Sequence, residues 1–147
     1  MTPLGVLETA LYAEDLREAE AFYSTVLELE LDSRADGRHV FFKCGHAMLL
    51  VFNPAATAME GGLVPAHGAI GPGHVAFSVR GDDLERWITQ LEERGVAIEA
   101  QVSWPGGGRS IYFRDPAGNS LELTTPQIWA SSARSRHASG IRSSRPT

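Results

Sequence analysis

The chain has 147 residues, 43% of them hydrophobic, with 18 acidic and 13 basic side chains and a formal net charge of −5. That is one ordinary domain with enough apolar material for a core, which excludes wholesale disorder, and the single cysteine excludes a disulfide framework or a zinc ribbon. No apolar run approaches the ~20 residues of a membrane span, and the start lacks a basic, then apolar, leader pattern, so the expected address is the cytoplasm.

In chain order, 6–13 reads VLETALYA, a short run of strand propensity, and EDLREAEAFYSTVLEL follows. Leu16, Ala19, Phe22/Tyr23 and Val26/Leu27 fall on one helical stripe, and Asp15 with Glu18 has capping-box spacing. A further strand is expected near 29–34. Two more, joined by a tight turn at Cys44-Gly45, make up RHVFFK-CGHAMLLVFNP, 38–54. The segment 53–73 contains five glycines and three prolines in 21 residues. It reads as a loop, and one that long inside a compact domain is usually a functional lid or a linker.

The same order then repeats. GHVAFSV, 73–79, leads into GDDLERWITQLEERG, with Leu84, Trp87, Ile88 and Leu91 on one stripe. Asp82 with Glu85 is a second capping-box candidate, and Gly95 is a candidate stop. A strand near 97–103 and the pair RSIYFRDPAGNSLELTTP, 109–126, complete the second half, with Asp115 to Gly118 as the turn. Each half therefore reads strand–helix–strand–strand–strand, over about 4–54 and 73–126. Gly106-Gly107-Gly108 is no phosphate loop, since it precedes a strand and lacks the following lysine.

Alternation assigns faces. Leu11, Val75, Phe77, Ile111, Phe113, Leu121 and Leu123 belong under the helices. The opposite face collects Glu8, His74, Ser110, Tyr112, Arg114 and Glu122, with His39 and Lys43 alternating the same way around Phe41. A face this polar is costly to bury and suits the wall of a cavity. Glu8 and His74 hold equivalent positions in the two halves. If the halves pair about a pseudo-twofold axis, these two and Glu122 can converge on one point.

The motifs Gly73-His74-Val75-Ala76-Phe77-Ser78-Val79 and Tyr112-Phe113-Arg114-Asp115-Pro116-Ala117-Gly118-Asn119-Ser120-Leu121-Glu122-Leu123 resemble the vicinal oxygen chelate superfamily of glyoxalases, bleomycin-resistance proteins and extradiol dioxygenases. The start of the chain, from Glu8 to Tyr23, fits as well. The resemblance, over about 4–126, implies an α+β fold in which two βαβββ modules form a cup-like curved sheet. It implies one divalent metal ion (Mn, Fe, Ni, Co or Zn) held by Glu8, His74 and Glu122, with Glu8 and Glu122 as the catalytic carboxylates. Aligning Gly45 with Gly118 puts Leu49 where a fourth ligand would stand. Three protein ligands leave room for water and a chelating substrate on a Lewis-acidic ion. Ser110, Tyr112, Arg114, His39 and Lys43 are the expected substrate contacts.

The activity expected from the resemblance is a lyase, isomerase or thiol transferase acting on a small oxygen-rich molecule, with a thiol co-substrate admitted. The alternatives are a metal-free drug-binding protein of the bleomycin-resistance type, which generally lacks these ligands, and an extradiol-type dioxygenase, which uses two histidines where this chain has Glu8 and His74. The family also implies a homodimer, sometimes with modules exchanged between chains. The acidic body, nine basic against 18 acidic residues before the tail, argues against nucleic acid and no membrane partner is expected. Residues 130–147, rich in Ser and Arg, read as a flexible appendage. His46 and His67 read as solvated loop residues, and Cys44 as an inert strand cysteine.

Overall fold

The computed structural model describes residues 1–130; the Ser/Arg-rich tail beyond them lies outside the described residues. The first half runs β1 (Glu8–Tyr12), α1 (Leu16–Thr25), β2 (Glu30–Ala35), β3 (His39–Cys44), β4 (Ala47–Phe52) and the short α2 (Pro54–Thr57). The second runs β5 (His74–Ser78), α3 (Leu84–Glu93), β6 (Ala100–Ser103), β7 (Arg109–Arg114) and β8 (Ser120–Thr124). Each half forms one four-stranded sheet, in the orders β1-β4-β3-β2 and β5-β8-β7-β6. The first strand of each pairs parallel with the last, because the intervening helix carries the chain across the sheet.

Local chemistry sets the element ends. Asp15 caps α1 by accepting from the backbone N–H groups of Arg17 and Glu18. The second half departs from the expected capping box at Asp82. Gly81–Asp83 is a 3-10 turn, α3 starts at Leu84, and no side chain caps it. Asp83, the residue at the cap position, instead pairs with Arg86 at 3.2 Å. Gly95 ends α3 as expected, at φ 69°, a conformation that costs a residue with a Cβ about 1 kcal/mol or more.

The helix-side faces of both sheets share one core. Tyr23 of α1 meets Phe42 of the first sheet at 5.5 Å between ring centroids, and the adjacent Phe22 meets Phe113 of the second at 6.5 Å. Leu84 and Leu91 of α3 join the same cluster with Ile111, Leu121 and Leu123. Each such side chain contributes roughly 1.5–3 kcal/mol by leaving water. Gln90 of α3 donates to the Val26 carbonyl at 2.8 Å, tying the helices together. With their inner faces committed to one core, the two sheets turn their other faces away from it.

Candidate metal centre

Of the expected ligands, His74 and Glu122 come together. Ala76, two residues after His74 on β5, is the register partner of Glu122 on β8, so both side chains rise from the same face of adjacent strands. His74 Nε2 lies 3.4 Å from Glu122 Oε2. The His74 side chain is half exposed, whereas that of Glu122 is 7% exposed. Glu122 Oε1 is buried with no hydrogen-bond partner. A carboxylate oxygen sequestered without a donor is costly, and a cation removes the cost.

The tautomer of His74 points the same way. Its Nδ1 lies 3.0 Å from the Ser120 carbonyl. A carbonyl only accepts, so Nδ1 is the protonated, donating nitrogen of this contact, and Nε2 is the nitrogen that faces Glu122. Anchoring one ring nitrogen on a carbonyl while the other is left free is how metal-ligating histidines are oriented. Ligand bonds of about 2.0–2.2 Å subtend roughly 3–3.4 Å between two donor atoms, so the observed separation suits a divalent ion between them. The residues present therefore fit a metal.

Glu8 does not join this pair within one chain. It is exposed on β1, on the outward face of the other sheet, and no three His, Cys, Asp or Glu side chains among the described residues stand close enough to hold an ion. The position equivalent to Glu122 is Leu50, not Leu49: Ala10 pairs with Leu50 as Ala76 pairs with Glu122. Leu49 lies in the core. The turn between β7 and β8 is longer than that between β3 and β4, which shifts an alignment drawn through the glycines by one residue. Neither leucine offers a ligand.

The expected substrate contacts line the outward faces but are engaged to different degrees. Tyr112 stands beside the pair, its ring stacked near His74 at 6.4 Å. Burial, followed by the charge of Glu122, holds its phenol above the usual range, so it remains a proton donor. Ser110 is buried under Trp104, which donates to its hydroxyl at 2.8 Å, and the Ser110 hydroxyl also meets that of Thr124 at 2.8 Å. Arg114 grips Glu99 with two bonds of 2.8 and 3.0 Å and also donates to the Gly118 carbonyl. Lys43 pairs with Glu30 at 2.6 Å. His39 stacks on Phe41, 3.9 Å between centroids and 14° apart, with Nδ1 buried and unpartnered. Burial, and then the charge of Arg38, pushes the His39 pKa down.

Residue chemistry alone missed several contributors. His67 is not simply solvated: its Nδ1 lies 2.8 Å from the Tyr12 hydroxyl and its ring meets Phe52 at 4.8 Å. Trp104 gives no periodic signal as the cover of Ser110. Cys44 sits on β3 with burial raising its thiol pKa, as expected of an inert strand residue. A cleft of about 430 Å³ between the α1 N-terminus, the 53–73 loop and Pro116 contains neither His74 nor Glu122.

The family model for the glyoxalase/bleomycin resistance protein/dioxygenase superfamily matches residues 5–123. The metallothiol transferase FosB of Bacillus licheniformis is 27% identical over 127 residues, covering 86% of this chain and 78% of the relative. The glutathione transferase FosA of Serratia marcescens is 31% identical over 113 residues, covering 77% and 74%. Among solved structures, the lactoylglutathione lyase from Agrobacterium tumefaciens superposes with a TM-score of 0.85 at 42% identity, covering 88% of this chain and 98% of that one. By the extent of the family match and the repeated βαβββ architecture, the chain belongs to the glyoxalase/bleomycin resistance protein/dioxygenase superfamily.

Proposed function

We propose that the protein is a divalent-metal-dependent enzyme of the glyoxalase type, working as a thiol transferase or lyase on a small oxygen-rich substrate. The observation that carries this reading is the His74–Glu122 pair, with one imidazole nitrogen anchored and one buried carboxylate oxygen lacking any donor. The names of similar proteins support it: two are thiol or glutathione transferases and one is a lyase of a glutathione adduct. A thiol co-substrate belongs to the same reading.

His74 and Glu122 would hold the ion, with Glu8 of a second copy of this chain as the third ligand. The outward-facing sheets support this assignment, because a first module from one copy laid over the second module of another closes a cup around the pair. Two carboxylates and one imidazole neutralise a dication and suit Mn, Fe, Ni, Co or Zn. When bound, the metal supplies Lewis-acid polarisation of a chelated substrate oxygen. The chain's own residues do the rest. Tyr112, kept protonated, donates to an oxygen of the substrate beside Glu122. Glu122 and Glu8 hold the negative charge that fixes the ion and accept protons as the substrate's charge shifts. Ser110, locked by Trp104 and Thr124, stiffens the polar wall.

Metal analysis of purified protein tests the reading. One dication per chain in the wild type, lost in Glu122→Ala with the fold retained, is the expected result. A wild-type protein that takes up no dication, and instead binds an aromatic or glycopeptide drug, would assign it to the metal-free binding class.

A further inference from the structure

We infer that the open face of the first module is a subsite for a flat apolar group of the substrate, an aryl group above all. This rests on the proposed function, because the face meets the metal pair only when a second copy closes the cup. Five rings gather there: Tyr12 on β1, His39 and Phe41 on β3, Phe52 on β4, and His67 from the long loop. Phe52 is the hub, with Phe41 at 5.1 Å, His67 at 4.8 Å, His39 at 6.1 Å and Tyr12 at 6.4 Å between centroids. Phe52 itself is nearly covered, while Tyr12, His39, Phe41 and His67 stay half-buried and form the accessible surface.

The repeat supplies the control. Strand registers equate Tyr12 with Ser78, His39 with Ser110, Phe41 with Tyr112 and Phe52 with Thr124. Three small hydroxyl residues of the second module, Ser78, Ser110 and Thr124, are thus matched by rings on the first, and the phenol of Tyr112 is matched by the plain ring of Phe41. The common core lies on the opposite face of both sheets, so folding does not demand this difference. Closed together, the two modules give a cup with one polar, metal-bearing wall and one aromatic wall. A molecule that fits both carries a chelating oxygen-rich head and a flat apolar tail. His39 adds a directional element. Its imidazole is stacked flat on Phe41, and its buried Nδ1 has no partner, a cost that a polar substituent on the tail offsets.

The test uses two metal-chelating probes that differ only in their tails. After metal uptake has been measured, the Mn²⁺-loaded protein is titrated calorimetrically with acetohydroxamate and with benzohydroxamate. The expected result is a benzohydroxamate affinity higher by about tenfold or more, a preference that Phe41→Ala abolishes while leaving acetohydroxamate affinity within about twofold. Phe41→Leu keeps the apolar volume without the flat ring. It reads the same preference if the alanine variant folds poorly, and is expected to lower it by at least about threefold. Equal affinities in the wild type, or a preference that survives both substitutions, overturns the subsite. Dissociation of the dimer by Phe41→Ala with no probe preference in the wild type assigns the face to subunit contact and also overturns it. Failure of metal uptake removes the proposed function and this inference with it, whereas uptake without discrimination removes the inference alone.

Discussion

Asn119 Oδ1 accepts the backbone N–H of Gly73 at 2.7 Å, one residue before His74. The same side chain donates to the Tyr12 carbonyl at 3.1 Å and to Asp115 Oδ2 at 2.8 Å, while its own backbone N–H reaches Asp115 Oδ1. Tyr23 of α1 donates to Asp115 Oδ2 at 2.7 Å, and burial, then the Asp115 charge, holds its phenol far above the usual range. One buried amide therefore ties the end of β1, the start of β5 and the turn before β8. Asn119→Ala leaves the Gly73 amide and the Tyr12 carbonyl without this partner. A loss of about 3 kcal/mol in urea unfolding is expected, with weakened metal uptake in the protein that remains folded.

Tyr23→Phe removes one bond to Asp115 but keeps the ring packed between the sheets. Asp115 retains both Asn119 donors, so the expected cost is smaller, about 1–2 kcal/mol, and metal uptake should stay unchanged. A loss of metal uptake in the folded variant would show that the network reaches the His74–Glu122 pair through α1.

Gly108, at φ 91°, lies where a Cβ would come within 2.7 Å of Ile128 Cγ2 and 2.8 Å of Thr125 Oγ1. The glycine run before β7 thus serves close packing against the segment after β8. Gly108→Ala should cost about 2–3 kcal/mol by thermal or chemical unfolding. Gly107→Ala, which has open space around its Cβ, should pay only for its positive φ, about 1 kcal/mol.

His39 gives a pH prediction. Its pKa is depressed in the folded state, first by burial and then by Arg38. The unfolded chain therefore takes up the proton first. Stability falls as pH drops through the unfolded value near 6.5 towards the lower folded value, and the loss is complete below that. His39→Phe removes this titration. Its stability should fall less than that of the wild type between pH 7.5 and pH 5, as read from urea midpoints at each pH.

The repeat was legible in the sequence because each half must bury one face of a sheet and one stripe of a helix, and both leave periodic marks. Leu11, Ile111 and Phe113 on one face, with His74 and Glu122 on the other, followed from alternation alone. What was not legible depends on tertiary geometry. Asp82 reads as a cap, yet a 3-10 turn advances the helix start past it. Leu49 reads as the counterpart of Glu122 until the pairing register names Leu50. Nothing local marks the hold of His67 on Tyr12, or of Trp104 on Ser110, since each contact joins segments with no common periodicity. That Glu8 stands apart from His74 and Glu122 within one chain was not legible either, because it depends on which way the two sheets face.

The sharing of one metal site between two copies is tested most directly by refolding Glu8→Ala chains together with an equal amount of His74→Ala chains and measuring bound dication. Each variant alone should bind almost none. In the mixture, half of the dimers are mixed and each mixed dimer restores one of its two sites, so metal should return to about a quarter of the wild-type content. A mixture that binds no more metal than the separate variants would contradict a site built from Glu8 of one copy and His74 and Glu122 of another.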